Sequence, residues 1–125
     1  MCMAEIFYLD WNKHTLFGWE TVKSDLVVDA IVRGIEAGDE FPPVHVHQGE
    51  KGYYLSPLRE TSHGWTDGGH NRAVGHYIAR QPLKCMLMRG GPIFPETLCV
   101  PIPEIILEDD RGQYQERREV FGQYR

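Results

Sequence analysis

The segment Thr66-Asp67-Gly68-Gly69-His70-Asn71-Arg72 holds the densest set of residues able to do chemistry. Paired glycines permit a tight turn and leave backbone N–H groups uncovered. A helix starting at His70 or Asn71 would aim its unpaired N–H groups and positive dipole end at whatever lies before it, an arrangement that binds phosphate or carboxylate. Arg72 adds a fork of donors matched to two phosphate oxygens. Asp67 can hold the turn, orient Arg72 or help hold a metal on a nucleotide. His70 can donate to a phosphate or transfer a proton.

A second constellation is His45-Val46-His47 followed by Glu50. Two histidines two apart on a strand point the same way, and with a carboxylate they resemble the first metal motif of cupins. The glutamate comes early for that motif, no second motif follows, and the helices expected below do not suit an all-strand fold. The plain alternative is a strand side facing solvent. Ser56 and Ser62 lack the context of a nucleophile elbow. Cys85 and Cys99 lie among apolar residues and are expected to be packing groups.

These groups must be positioned by one domain of 125 residues with 42% hydrophobic and 25% charged residues, ordinary values for a globular fold. The formal charge is −5, which argues against stable nucleic-acid binding. Charge is uneven along the chain. Between 61 and 103, Arg72, Arg80, Lys84 and Arg89 outweigh Asp67 and Glu96, so a small anion would be drawn to the stretch that holds the glycine turn. No apolar run suits a membrane helix, and no signal-like start precedes Glu5. Three cysteines without CxxC spacing point to a reducing, cytoplasmic setting.

Glu5–Leu9 has the pattern of a short strand; the state of 11–19 stays open. Ser24 is a good N-cap for a helix whose apolar stripe is Leu26, Val27, Ala30, Ile31, Val32 and Ile35, stopped by Gly38. Pro42-Pro43 forces an extended chain. Val44–His47 alternates as a strand with valines on one face and histidines on the other. A turn over 48–52 returns the chain as an antiparallel strand, 53–55, and a loop occupies 56–66. A helix follows over 70–80, burying Ala73, Val74, Tyr77 and Ile78, and Leu83–Met88 is a buried strand. Residues 95–103 are irregular, 105–107 form a last strand, 108–112 turn, and a charged extension runs from about 104.

This order, with "IEAGDEFPPV", "VHVH", "GYYL", "DGGHNRAVGHYIAR" and "PLKCMLM" in sequence, resembles the ParB/sulfiredoxin-like superfamily over about 22–88. The resemblance implies an α+β domain with a small mixed sheet packed with helices. It also implies a Gly-x-x-Arg helix start, here Gly69, His70, Asn71 and Arg72, that binds nucleotide phosphate. The chain departs from sulfiredoxins, which carry a reactive cysteine where His70 stands, so sulfinic-acid reduction is not expected. It also lacks the helix-turn-helix domain of DNA-partitioning members.

The expected function is therefore binding of ATP, ADP, CTP or another small phosphorylated ligand at Gly68–Arg72, with Mg²⁺-assisted hydrolysis or transfer of phosphate as its chemical extension. His70 and Asp67 would be the catalytic pair, and His45 and His47 would border the cleft. The other expectations are a non-catalytic module on the same fold, facing a protein partner or a second copy through 92–103 and the C-terminal segment, and the metal site at His45 and His47.

Overall fold

The computed structural model describes residues 5–56 and 68–108. It is an α+β fold with two helices and a mixed six-stranded sheet. In chain order the elements are β1 (Glu5–Leu9), β2 (Leu16–Gly18), β3 (Val22–Ser24), α1 (Asp25–Glu36), β4 (Val44–Gln48), β5 (Tyr53–Leu55), α2 (His70–Ala79), β6 (Leu83–Leu87), β7 (Val100–Pro101) and β8 (Ile106–Glu108). Single 3-10 turns at Glu96–Leu98 and Ile102–Glu104 flank β7. The main sheet runs β1-β6-β4-β5-β2-β7, and β3 and β8 form a separate parallel pair. At its centre β4 lies parallel to β6 and antiparallel to β5.

Local chemistry explains both helices. The Ser24 hydroxyl accepts the Val27 N–H at 3.4 Å and Asp25 sits in the first turn, so the positive end of α1 is closed by its own residues. At the other end, Gly38 takes φ +89°. Its N–H donates to Ile35 and the Asp39 N–H to Gly34, the paired closure that a left-handed glycine allows. Helix α2 ends the same way, with Arg80 N–H donating to Tyr77 and Gln81 N–H to His76. There the left-handed residue is Arg80 itself, at φ +57°.

Alternation along β4 sends Val44 and Val46 to a core where Leu9, Leu83, Cys85, Leu55, Val28, Ala73 and Val74 meet them. Both helices lie on this face. They approach closely because position 75 is glycine: a Cβ there would sit 2.6 Å from Ile31 Cγ2. The opposite face carries His45, His47, Tyr54 and Met86 by register, and residues 90–98 fold over part of it. Gly90 meets His47, and the Tyr54 hydroxyl donates to Glu96 at 2.9 Å.

Several expectations need correction. In α1 the stripe turns toward Val28, which is 1% exposed, while Leu26 is left largely in solvent. In α2, Ala73 and Val74 are buried but Tyr77 and Ile78 are exposed. His70, Asn71 and Gly75 take the inner positions instead, because the first half of the helix carries the contact with the sheet and with α1. The irregular 95–103 contains the two 3-10 turns and β7, and the last strand begins at Ile106, one residue later than expected. The C-terminal extension beyond 108 lies outside the described residues.

Candidate functional site

Strand β5 runs into Ser56, and the chain re-enters at Gly68 and Gly69 before α2. Both glycines have positive φ, +73° and +93°. A Cβ on Gly68 would lie 2.5 Å from the Trp19 ring, and one on Gly69 would lie 2.6 Å from Val44 Cγ1. Glycine is thus demanded twice at each position, by backbone conformation and by close packing of the turn onto the sheet. Gly69 is the N-cap of α2 and has no side chain to cap with.

His70 is the chief correction to the sequence reading. Its ring is 0% exposed. Nε2 accepts the N–H groups of Trp19 at 3.0 Å and Glu20 at 3.2 Å. An Nε2 that accepts leaves the ring proton on Nδ1, which lies 3.6 Å from Glu20 Oε2. Trp19 stands edge-on to the ring at 4.4 Å, and a side chain at Gly18 would collide with it. His70 ties the chain after β2 to the start of α2. In this arrangement it is no proton donor to an outside ligand, and its catalytic assignment falls. Asp67, its expected partner, lies outside the described residues.

Arg72 sits on the outer side of the same turn. Its Nη1 donates to the carbonyls of Pro42 at 2.7 Å and Pro43 at 3.2 Å. Its Nη2 is 3.6 Å from where a Cβ on Gly69 would be. The guanidinium therefore spans from the proline pair to the glycine turn. The rigid Pro-Pro segment, legible in the sequence as a forced extension, supplies the carbonyls that aim it. Asn71, 6% exposed, is packed inward beside it.

Two further polar residues border the turn without having been foreseen. Lys23, 5% exposed, places Nζ 2.7 Å from Glu20 Oε2. Glu20 thus faces both a buried ammonium and His70. No sequence signal marks Lys23, because β3 is only three residues long and carries no readable period, and Glu20 lies in the short link before it. Nothing among the described residues assembles three His, Cys, Asp or Glu side chains around a metal position.

On the other face of β4 the histidines differ. His45 is half-buried, and its pKa is held below the usual histidine value by burial first, then by the charges of Arg72 and His47. His47, 6% exposed, has both ring nitrogens engaged: Nδ1 with the Gly90 carbonyl at 3.2 Å and Nε2 with Ser56 Oγ at 3.0 Å. At His47 this strand side is not solvated. Nor does it form the cupin-like set, because both ring nitrogens of His47 are committed and Glu50 is exposed on the turn. Cys85 is fully buried, and burial pushes its thiol up to about 12, which fits inert packing.

Two concavities lie away from the glycine turn. One of about 450 Å³ is bordered by Tyr8, Glu36, Phe41, His76 and Lys84. The other, about 690 Å³, is bordered by Trp11, Tyr77, Ile78 and Arg80. They flank the C-terminal end of α2, where the dipole favours cations rather than phosphates. No protein-family model, curated protein or solved structure matches the chain. No helix among the described residues is long and apolar enough to cross a membrane.

Proposed function

We propose that the chain binds a nucleotide or a similar phosphate ester at the turn Gly68–Arg72, on a ParB/sulfiredoxin-like fold. The observation that carries this reading is the Arg72 guanidinium, fixed by the Pro42 and Pro43 carbonyls beside Gly69 at the start of a ten-residue helix. Helix dipole and guanidinium charge reinforce one another there. His45 lies within the field of Arg72 and borders the same end of the sheet. His70 and the Lys23–Glu20 pair hold the turn in shape. Among the described residues no group of three His, Cys, Asp or Glu side chains is arranged around a metal position, and Glu20 is engaged with Lys23 at 2.7 Å. Mg²⁺ would therefore arrive on the phosphates of the ligand, where it neutralises their charge. The compartment proposed is the cytoplasm, where such ligands are plentiful and the thiols of Cys85 and Cys99, free in this fold, stay reduced.

Titration calorimetry with ATP, ADP and CTP, each with Mg²⁺, tests the reading. Heat of binding is expected for at least one. Absence of heat for all three overturns it.

A second reading is favoured by one observation. Ile93 and Leu98, in the proline-rich stretch, are 57% and 61% exposed, as on a face that meets a protein partner or a second copy. Sedimentation of the purified chain at rising concentration tests the second copy. A monomer at every concentration removes it.

A further inference from the structure

Ser56 and His47 form a hydroxyl–imidazole pair that the phosphate site does not use. The Gly90 carbonyl can only accept, so the proton of the ring lies on Nδ1, donating to that carbonyl across 3.2 Å. Nε2 is then left with its lone pair facing Ser56 Oγ at 3.0 Å, and the hydroxyl donates to it. A hydroxyl, a base within hydrogen-bond reach and a third group that orients the base is the arrangement that activates a serine. Here a backbone carbonyl stands where a carboxylate is more common. The pair is 9% and 6% exposed, so its geometry is held by packing, away from bulk water.

Its place in the fold gives the pair a substrate. The Ser56 backbone carbonyl lies 3.5 Å from the Cβ position of Gly68, so the backbone of the serine abuts the glycine turn while its hydroxyl is held by His47. The serine N–H donates to the carbonyl of His45 at 2.9 Å, which sets it across from the histidine whose titration feels Arg72.

We infer that Ser56 is a nucleophile, with His47 as its base, and that it takes the terminal phosphoryl group of a nucleoside triphosphate held at the turn. This rests on the phosphate reading above. In the step, Ser56 Oγ forms a bond to the γ-phosphorus while the bond from that phosphorus to the bridging oxygen breaks. The nucleoside diphosphate leaves with the electron pair, and the hydroxyl proton passes to His47 Nε2. The imidazolium so formed is steadied at Nδ1 by the Gly90 carbonyl. The product is a phosphoserine, and no oxidant, reductant or further reactant is needed.

The test treats the whole chain with Mg·ATP labelled in the γ-phosphate and, separately, with a fluorophosphonate, which marks activated hydroxyls without needing a nucleotide site. Labels are located by peptide mass mapping. Both are expected on Ser56 and absent from Ser56→Ala. His47→Gln is expected to slow both by about 10²–10⁴-fold, the range for losing a general base. If ATP binds by calorimetry but Ser56 is never phosphorylated, the inference is overturned and the phosphate reading stands. If no nucleotide binds and none is consumed, both fall, and fluorophosphonate labelling alone then reports the reactivity of the hydroxyl. Should His47→Gln fail to fold, the wild-type map still decides, since a phosphate found on any residue other than Ser56 overturns the assignment.

Discussion

The two helices begin in opposite ways. Helix α1 is closed at its N-terminus by the Ser24 hydroxyl and by Asp25. Helix α2 starts from Gly69, which offers no side chain, and has no acidic residue in its first turn. In place of a carboxylate it carries Arg72, aimed by two proline carbonyls. A positive residue at the positive end of a helix is unfavourable for the helix alone. It becomes favourable once an anion joins it. The contrast is one of local chemistry: α1 is closed by its own serine and aspartate, whereas the start of α2 brings a guanidinium into its first turn.

The largest expected effect lies in that turn. Gly69→Ala must adopt φ +93° and displace Val44 from a 2.6 Å contact, so it should cost about 2–4 kcal/mol, combining left-handed strain with overpacking. Gly38→Ala, at φ +89° but with nothing within 4 Å, should cost only the conformational part, about 1–2 kcal/mol. Urea unfolding of the two variants measures the difference, and equal losses would mean that Val44 yields and the turn is not tightly packed. Next comes Arg72→Ala. Loss of a charged hydrogen bond of about 1.5–3 kcal/mol should weaken nucleotide binding about ten- to hundred-fold by calorimetry. An unchanged affinity would mean that the guanidinium serves only the Pro42 and Pro43 carbonyls.

Much of the scaffold was legible because its signals are local. The caps and stops of α1, the alternation of β4 and the return of β5 each follow from residues within one segment. What escaped depends on distance. Strands β2, β3 and β7 have two or three residues, too few to show a period, and β3 exists only because β8 pairs with it from the far end of the described chain. In the site, the glycines and Arg72 stood out by type and spacing. His70 was misjudged because a histidine that binds phosphate and one that accepts two backbone N–H groups occupy the same letter in the sequence. The approach of Ser56 to His47 was invisible for another reason: it is fixed by the register that sets His47 against Tyr54 and by the return of the chain at Gly90.

Smaller effects sharpen the contrast between the helix ends. Ser24→Ala should destabilise by about 1 kcal/mol or less, since its capping bond is a long one, and nucleotide affinity should be unmoved. A fall in affinity as large as that of Arg72→Ala would show that the two helix starts are not separate in function. In the last turn of α2, His76 donates from Nδ1 to the Arg72 carbonyl at 2.7 Å. Its pKa is held below the ordinary 6.5, chiefly by burial. The unfolded chain therefore takes up the proton first, so stability is full above 6.5 and declines as pH falls through 6.5 toward the lower folded value. The urea midpoint should drop on acidification over that range and drop less in His76→Gln. An equal drop in both would assign the acid sensitivity elsewhere, with His45, lowered in the same direction, as the next group to replace.

The smallest expected change is a gain. Both helices close through the same pair of backbone bonds, but α1 does it with Gly38 and α2 with Arg80 at φ +57°. A non-glycine residue in that region carries a steric penalty between its Cβ and the following carbonyl, which glycine lacks. Arg80→Gly removes the penalty and gives back part of the gain through greater freedom of the unfolded chain. It also removes a cation from the negative end of the helix. The balance should be a stabilisation of about 0.5 kcal/mol, read as a small rise in the urea midpoint at unchanged slope. A loss instead would mean that the Arg80 side chain, which borders the concavity with Trp11, Tyr77 and Ile78, contributes more through packing and charge than its backbone conformation costs.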